Sequence, residues 1–146
     1  MFLDNQLAKG YIRPSISPQT SPMFFVPKKD GKKHMVQDYR YVNKFTIKNN
    51  YPLPLISQLV DKLKGCKLFM KIDLCWGYNN VQVKKGDEWK AVFVTHKGAF
   101  EPLVMYFGLC NSPMTFQKMI NEIFHNMPNA GMVYIDDLMI FMKLDN

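Results

Sequence analysis

The chain has 146 residues, of which 47% are apolar and 21% charged, about one domain's length with enough apolar matter for a core. Its three cysteines (Cys66, Cys75, Cys110) are odd in number, far apart and without a C-x-x-C pair, which argues against a disulfide framework or a cysteine zinc site and favours a reducing compartment. No apolar run approaches the roughly 18 residues of a membrane span, and the N-terminus lacks a signal-peptide profile, so no membrane partner is expected. The net charge of +7 is lopsided: residues 1–73 hold thirteen Lys and Arg against five acids, residues 74–146 six against seven. Such asymmetry points one half of the chain at a polyanion, the plainer reading being a solvated lysine-rich surface.

Prolines at 14, 18, 22 and 27 make the first 27 residues read as an extended arm. Asp30-Gly31 between Phe24-Phe25-Val26 and Met35-Val36 is a hairpin signal, its tip carrying Lys28, Lys29, Lys32 and Lys33. Leu55, Ile56, Leu59, Val60 and Leu63 recur at helical spacing, and Gly65 is placed to end that helix. Residues 68–73 read as a strand ending in Asp73, and 80–84, 89–95 and 99–105 as three more strands separated by turns. Ser112-Pro113 predicts a helix start with serine as N-cap, followed by an apolar stripe through Phe116, Ile120 and Phe124. The chain closes on two apolar strands, 132–135 and 138–142, around Asp136-Asp137. This order fits an α+β fold in which two helices cover one face of an antiparallel sheet. Trp76 and Trp89 read as packing residues and the eleven methionines as core filler.

Two adjacent carboxylates at a hairpin tip have a plain reading, an Asx-type turn. However, the flanking strands are strongly apolar, and neighbouring anions repel. Asp73 also ends an apolar strand, where a lone acid is disfavoured unless something neutralises it. If that strand lies beside the hairpin, Asp73 and Asp136 converge at one sheet edge. Carboxylates gathered there are stable only with raised pKa values or bound cations, and oxygen-only ligands select hard cations such as Mg²⁺. Two such ions suit nucleotidyl transfer, because one activates the attacking oxygen while the other stabilises the leaving one.

Tyr134-Ile135-Asp136-Asp137 resembles the Y-x-D-D box of reverse transcriptases, and residues 71–78 (KIDLCWGY) resemble the strand and turn that bear their first catalytic aspartate. Gln37-Asp38-Tyr39-Arg40-Tyr41-Val42-Asn43-Lys44, Tyr51-Pro52-Leu53-Pro54 and Phe107-Gly108-Leu109-Cys110-Asn111-Ser112-Pro113 match further blocks in the same order, most closely those of Ty3/gypsy-type LTR retrotransposon polyproteins. The resemblance runs from about Gly10 to Lys143 and implies a right-hand polymerase, with fingers at 1–47 and 81–111 and palm at 48–80 and 112–146. It implies RNA-directed DNA polymerase activity with two Mg²⁺ ions (Mn²⁺ as a possible substitute), deoxynucleoside triphosphates, and an RNA or DNA template with its primer. By the same resemblance Asp73, Asp136 and Asp137 are the catalytic and metal residues. Lys28, Lys29, the backbone at Trp76 and Gly77, and Phe107 and Gly108 would meet the nucleotide. Tyr78 would be the gate that rejects a ribose 2′-OH by clash, the rival reading being a core tyrosine with its hydroxyl bonded. Asp38, Arg40 and Asn43 would meet the template strand.

Three positions depart from the family pattern. His34 and Cys75 stand where relatives usually carry arginine, and Met114 where they carry alanine. A neutral histidine lacks the bidentate guanidinium fork, so a phosphate grip there weakens. These changes keep open a second expectation, an inactive polymerase-like remnant that at most binds nucleic acid. The family's thumb, RNase H and integrase regions are not found in this sequence, so apolar palm surface is expected to be exposed.

Overall fold

A computed structural model describes residues 2–27, 31, 33–126, 131–134 and 137–143, the side chains of Lys33 and His34 excepted. In chain order the elements begin with α1 (Phe2–Ala8), β1 (Ile12–Pro14), β2 (Met23–Pro27), β3 (Lys33–Gln37), α2 (Arg40–Phe45) and α3 (Ile56–Leu63). They continue with β4 (Leu68–Asp73), β5 (Phe93–Thr95), β6 (Gly98–Pro102), α4 (Ser112–Ile123), β7 (Gly131–Tyr134) and β8 (Asp137–Met142). Contacts divide the chain into two units, Met1–Lys48 with Tyr78–Ser112, and Asn49–Gly77 with Pro113–Asn146.

The first unit holds a three-stranded sheet in the order β1-β6-β5 and the β2–β3 hairpin, all antiparallel. Its core joins Leu3, Ile12, Met35, Tyr39, Phe93, Phe100 and Tyr106. The Tyr39 hydroxyl donates to the Ala91 carbonyl at 2.9 Å, and burial pushes its phenol pKa well above the usual tyrosine range. Buried Glu101 accepts from Arg13 and Ser15, which compensates the cost of burying a carboxylate.

Two expectations need correction here. The first thirteen residues precede any proline and are not an open arm: α1 buries Leu3 and Gln6, and Gln6 Oε1 accepts from the Tyr106 hydroxyl at 2.6 Å. The three strands expected between 80 and 105 reduce to β5 and β6, with a lone bridge between Gln82 and Val104. Residues 77–80 and 88–91 are 3-10 turns instead. The 85–88 turn is where it was expected, with buried Glu88 accepting the Gly86 amide at 2.6 Å, and the 3-10 turn at 88–91 takes the first residues of the strand expected at 89–95.

The second unit is built on the antiparallel order β4-β8-β7. The β4–β8 register runs from Leu68 opposite Met142 to Asp73 opposite Asp137, and β7–β8 from Gly131 opposite Ile140 to Tyr134 opposite Asp137. Phe116, Ile120, Met132, Val133, Leu138 and Phe141 are its buried apolar residues. Edge strand β4 is exposed along its whole length, and α3 buries no residue fully despite its apolar stripe. At the head of α4, Ser112 is not a side-chain cap: its hydroxyl is buried and donates to the Tyr106 carbonyl at 3.1 Å. Trp76 and Trp89 are about half exposed, at 50% and 44%, rather than packed inside. No helix among the described residues is long and apolar enough to cross a membrane.

Candidate active site

Residues directly opposite in an antiparallel pair project from the same face, about 4.5–5.5 Å apart at Cα. Asp73 and Asp137 are such a pair, at the end of the β4–β8 ladder. Two carboxylates opposed in this way repel, and the side-chain period of two brings a remedy: Lys71, two residues before Asp73, shares their face. Its Nζ lies 2.9 Å from Asp137 Oδ2, a diagonal ion pair with both side chains about half exposed. Asp73 is exposed and has no ion-pair partner among the described residues. Asp136, expected as a principal ligand, lies outside the described residues, as do Lys28 and Lys29.

A divalent cation fits the donors that are present. Asp73 and Asp137 offer only hard oxygen atoms on one face, and the like-charge repulsion between them is what a cation relieves. No cluster of three metal-ligating side chains occurs among the described residues.

After Asp73 the chain turns sharply. The Cys75 amide donates to the Asp73 carbonyl at 3.1 Å and the Gly77 amide to the Leu74 carbonyl at 3.0 Å. The Gly77 amide is thus engaged within its own turn. The left-handed backbone in this turn belongs to Trp76, at φ 57°, an unfavourable conformation for a bulky side chain. In the first unit, Tyr78 is buried and meets Phe107 edge-on, with ring centroids 4.6 Å apart. Gly108, beside Phe107, has φ +96°, and a Cβ there would lie 3.5 Å from the Gln37 carbonyl and the Tyr39 ring.

Asp38, Arg40, Asn43 and Gly108 line one groove of about 410 Å³, with Phe24 and Gln37. Arg40 grips Asp38 through Nε and Nη2 at 2.6–3.1 Å, and this hydrogen-bonded guanidinium holds the Asp38 carboxyl down at about 2. The rest of the Arg40 side chain is exposed. Asn43 turns its amide inward: Nδ2 donates to the Gly108 carbonyl at 2.7 Å and Oδ1 accepts the Cys110 amide at 2.8 Å. Both ends of that side chain therefore brace the 107–110 loop.

Two supports were not foreseen from sequence. Lys71 is one, and its signal was its period-two spacing from Asp73. The other is a relay behind β7: Gln117, fully buried on α4, donates through Nε2 to the Val133 carbonyl at 3.0 Å and to Asn121 at 2.9 Å. Asn121 in turn donates to the Tyr51 hydroxyl at 2.9 Å. The relay anchors the end of β7 one residue before Tyr134.

Residues 26–146 match the family described as reverse transcriptase (RNA-dependent DNA polymerase). The Tf2-3 and Tf2-7 transposon polyproteins of Schizosaccharomyces pombe are each 41% identical over 145 residues, 99% of this chain. The chain spans only 11% of the length of those polyproteins. Among solved structures, foamy viral protease-reverse transcriptase in complex with an RNA/DNA hybrid superposes with TM-score 0.89 at 26% identity, covering 97% of this chain and 19% of that one. The foamy viral protein in complex with double-stranded DNA gives TM-score 0.89 at 27% identity, covering 97% and 25%. The α+β architecture is that of polymerase fingers and palm with antiparallel sheets, and the chain belongs to the reverse transcriptase (RNA-dependent DNA polymerase) family.

Proposed function

We propose that this chain carries the nucleotidyl-transfer centre of an RNA-directed DNA polymerase from a retrotransposon polyprotein, acting on a deoxynucleoside triphosphate and a primer paired to an RNA or DNA template. The observation that carries the reading is the opposition of Asp73 and Asp137 at one end of the β4–β8 ladder. Asp73 and Asp136 are assigned as principal holders of two Mg²⁺ ions, with Mn²⁺ as a substitute. Bound there, the ions would supply charge neutralisation at the triphosphate and activation of the primer 3′-hydroxyl.

The chain's own residues then divide the work. Asp137 completes the acidic edge while Lys71 offsets its charge. Buried Tyr78, braced by Phe107, presents a rigid ring that would exclude a ribose 2′-OH by steric conflict. Lys28 and Lys29 would close over the triphosphate, and the backbone at Trp76 and Gly77 would meet it as well. Arg40, oriented by Asp38, would meet a template phosphate, and Asn43 would act by fixing the Gly108 backbone. Segments 1–47 and 81–111 serve as fingers, and 48–80 and 112–146 as palm.

Primer extension on an RNA template tests this, comparing wild type with Asp73→Asn and Asp136→Asn. Incorporation that both substitutions abolish supports the reading. Nucleic-acid binding without incorporation at any Mg²⁺ or Mn²⁺ level would leave the inactive, binding-only alternative. Its motive is Cys75, exposed beside the site in place of the family's arginine.

A further inference from the structure

Glu101 and Asp137 each pair with a cation across a β-ladder, in opposite manners. Glu101 stands directly opposite Arg13 in the β1–β6 ladder, is buried, and also accepts from the Ser15 hydroxyl. With both oxygens engaged and little water at hand, that carboxylate is held for good. Asp137 is held loosely. Directly across from Lys71 stands Met139, which offers no charge, and the ammonium reaches Asp137 only along the diagonal, at 2.9 Å from Oδ2.

The Lys71 and Asp137 side chains are 59% and 49% exposed. Strand β4 lies at the sheet edge and is open along its whole length, so Nζ has water to retreat into. An exposed pair of this kind shifts an equilibrium by a factor of about five or less. It relieves the repulsion between Asp73 and Asp137, yet it is weak enough to yield to a cation of twice the charge. A lysine also suits release better than an arginine would, since its ammonium is a point charge on a flexible stem and not a planar fork that can take both carboxylate oxygens.

We propose that Lys71 is a positioning residue that acts through Asp137: its ammonium occupies that carboxylate in the metal-free chain, leaves it when a divalent cation is held there, and so sets how tightly the acidic edge takes the cation. This rests on the metal assignment of the Asp73–Asp137 edge given above, and not on polymerase activity.

Mn²⁺ binding to the chain without nucleotide or primer, read from loss of the free-ion electron paramagnetic resonance signal, tests it. Lys71→Met keeps the length of the side chain and removes its charge, and is expected to bind Mn²⁺ about three- to fivefold more tightly than wild type. Lys71→Arg should return to the wild-type affinity or fall below it. In an Asp137→Asn background the effect of Lys71→Met should shrink to within about 1.5-fold, because the partner through which Lys71 acts is gone. Thermal melts give a second readout. Without metal, Lys71→Met should melt below wild type, and saturating Mn²⁺ should raise its melting temperature by more than it raises that of wild type. A lysine that only stabilises the strands would lower both melts equally and leave Mn²⁺ affinity unchanged, and that result overturns the proposal. Equal tightening in the Asp137→Asn background would overturn it too, by pointing to a general field in place of the ion pair. Mn²⁺ binding that is absent, or that Asp73→Asn leaves unchanged, would remove the metal assignment and the role of Lys71 with it. The expected Lys71 pattern in a chain that extends no primer would remove the polymerase reading alone, and primer extension with Mn²⁺ affinity indifferent to Lys71 would remove the role of Lys71 alone.

Discussion

The two units of this chain differ most in how they handle charge. The first carries the entire +7, while the second balances six cations against six acids and keeps two of those acids face to face. The difference matches what the proposed function asks of each. A polyanion is attracted over a Debye length by summed charge, which needs many cations and no particular geometry. A metal-dependent centre needs the reverse: few groups, of the opposite sign, fixed within ångströms of each other by a strand register. The described lysine side chains of the first unit are exposed, and the second unit fixes Asp73 and Asp137 by a ladder and anchors β7 through a buried glutamine.

Substitutions that act on one unit and not the other probe this contrast. The largest effect is expected from Asp73→Asn, which should lower primer extension by about 10³-fold or more, since metal-held charge stabilisation amounts to several kcal/mol at 1.36 kcal/mol per tenfold. An extension rate within tenfold of wild type would break the assignment of chemistry to the second unit. Next comes Gln117→Leu. Removing the donor leaves the buried Val133 carbonyl unpaired and should cost about 1–3 kcal/mol, or roughly 2–4 °C per kcal/mol in thermal melts. Hydrogen exchange should locate the loss in β7 and α4, and an equal rise in exchange through β1, β5 and β6 would show that the units are not separate in stability.

A pH experiment addresses the first unit. Burial raises the phenol pKa of Tyr39 and of Tyr106 above the ordinary 10.0. A raised folded-state pKa stabilises fully below the unfolded value and loses that contribution as pH climbs past it. The fold should therefore weaken above about pH 10, and the phenolate absorbance of these two residues should appear only together with loss of far-UV circular dichroism. Difference spectra against Tyr39→Phe and Tyr106→Phe check this, and ionisation in a folded chain would contradict it. The smallest effect is expected from Trp76→Gly, which relieves the left-handed backbone at φ 57° and should stabilise by about 1 kcal/mol. A lower melting temperature would mean that the contacts of the indole outweigh the strain.

Much of the second unit was legible from sequence because its signals are local and periodic. Strand 68–73, interrupted only by Lys71, and the strands around Asp136-Asp137 are apolar runs bounded by acids, and β4 and β8 occupy those stretches. The helices α3 and α4 likewise lie where apolar spacing put them. The failures came where a side chain decides the backbone. The 3-10 turn at 88–91, which buries Glu88 and Ala91, took the first residues of the strand expected at 89–95, and no periodicity encodes that. Helix α1 was hidden by the prolines that follow it. Lys71 was overlooked because an isolated lysine in an apolar strand reads as a solvated residue until its diagonal neighbour is known.

The ammonium of Lys71 against Asp137 carries one more implication. An acidic edge that needed an ion to hold its strands together would tie synthesis of the fold to the supply of that ion, as happens in small zinc modules. Here a counter-charge is encoded in the neighbouring strand, so β4 and β8 can zip shut in ion-free water. On the proposed reading, assembly and metal loading would be separate events, and the two strands could pair before any ion arrived.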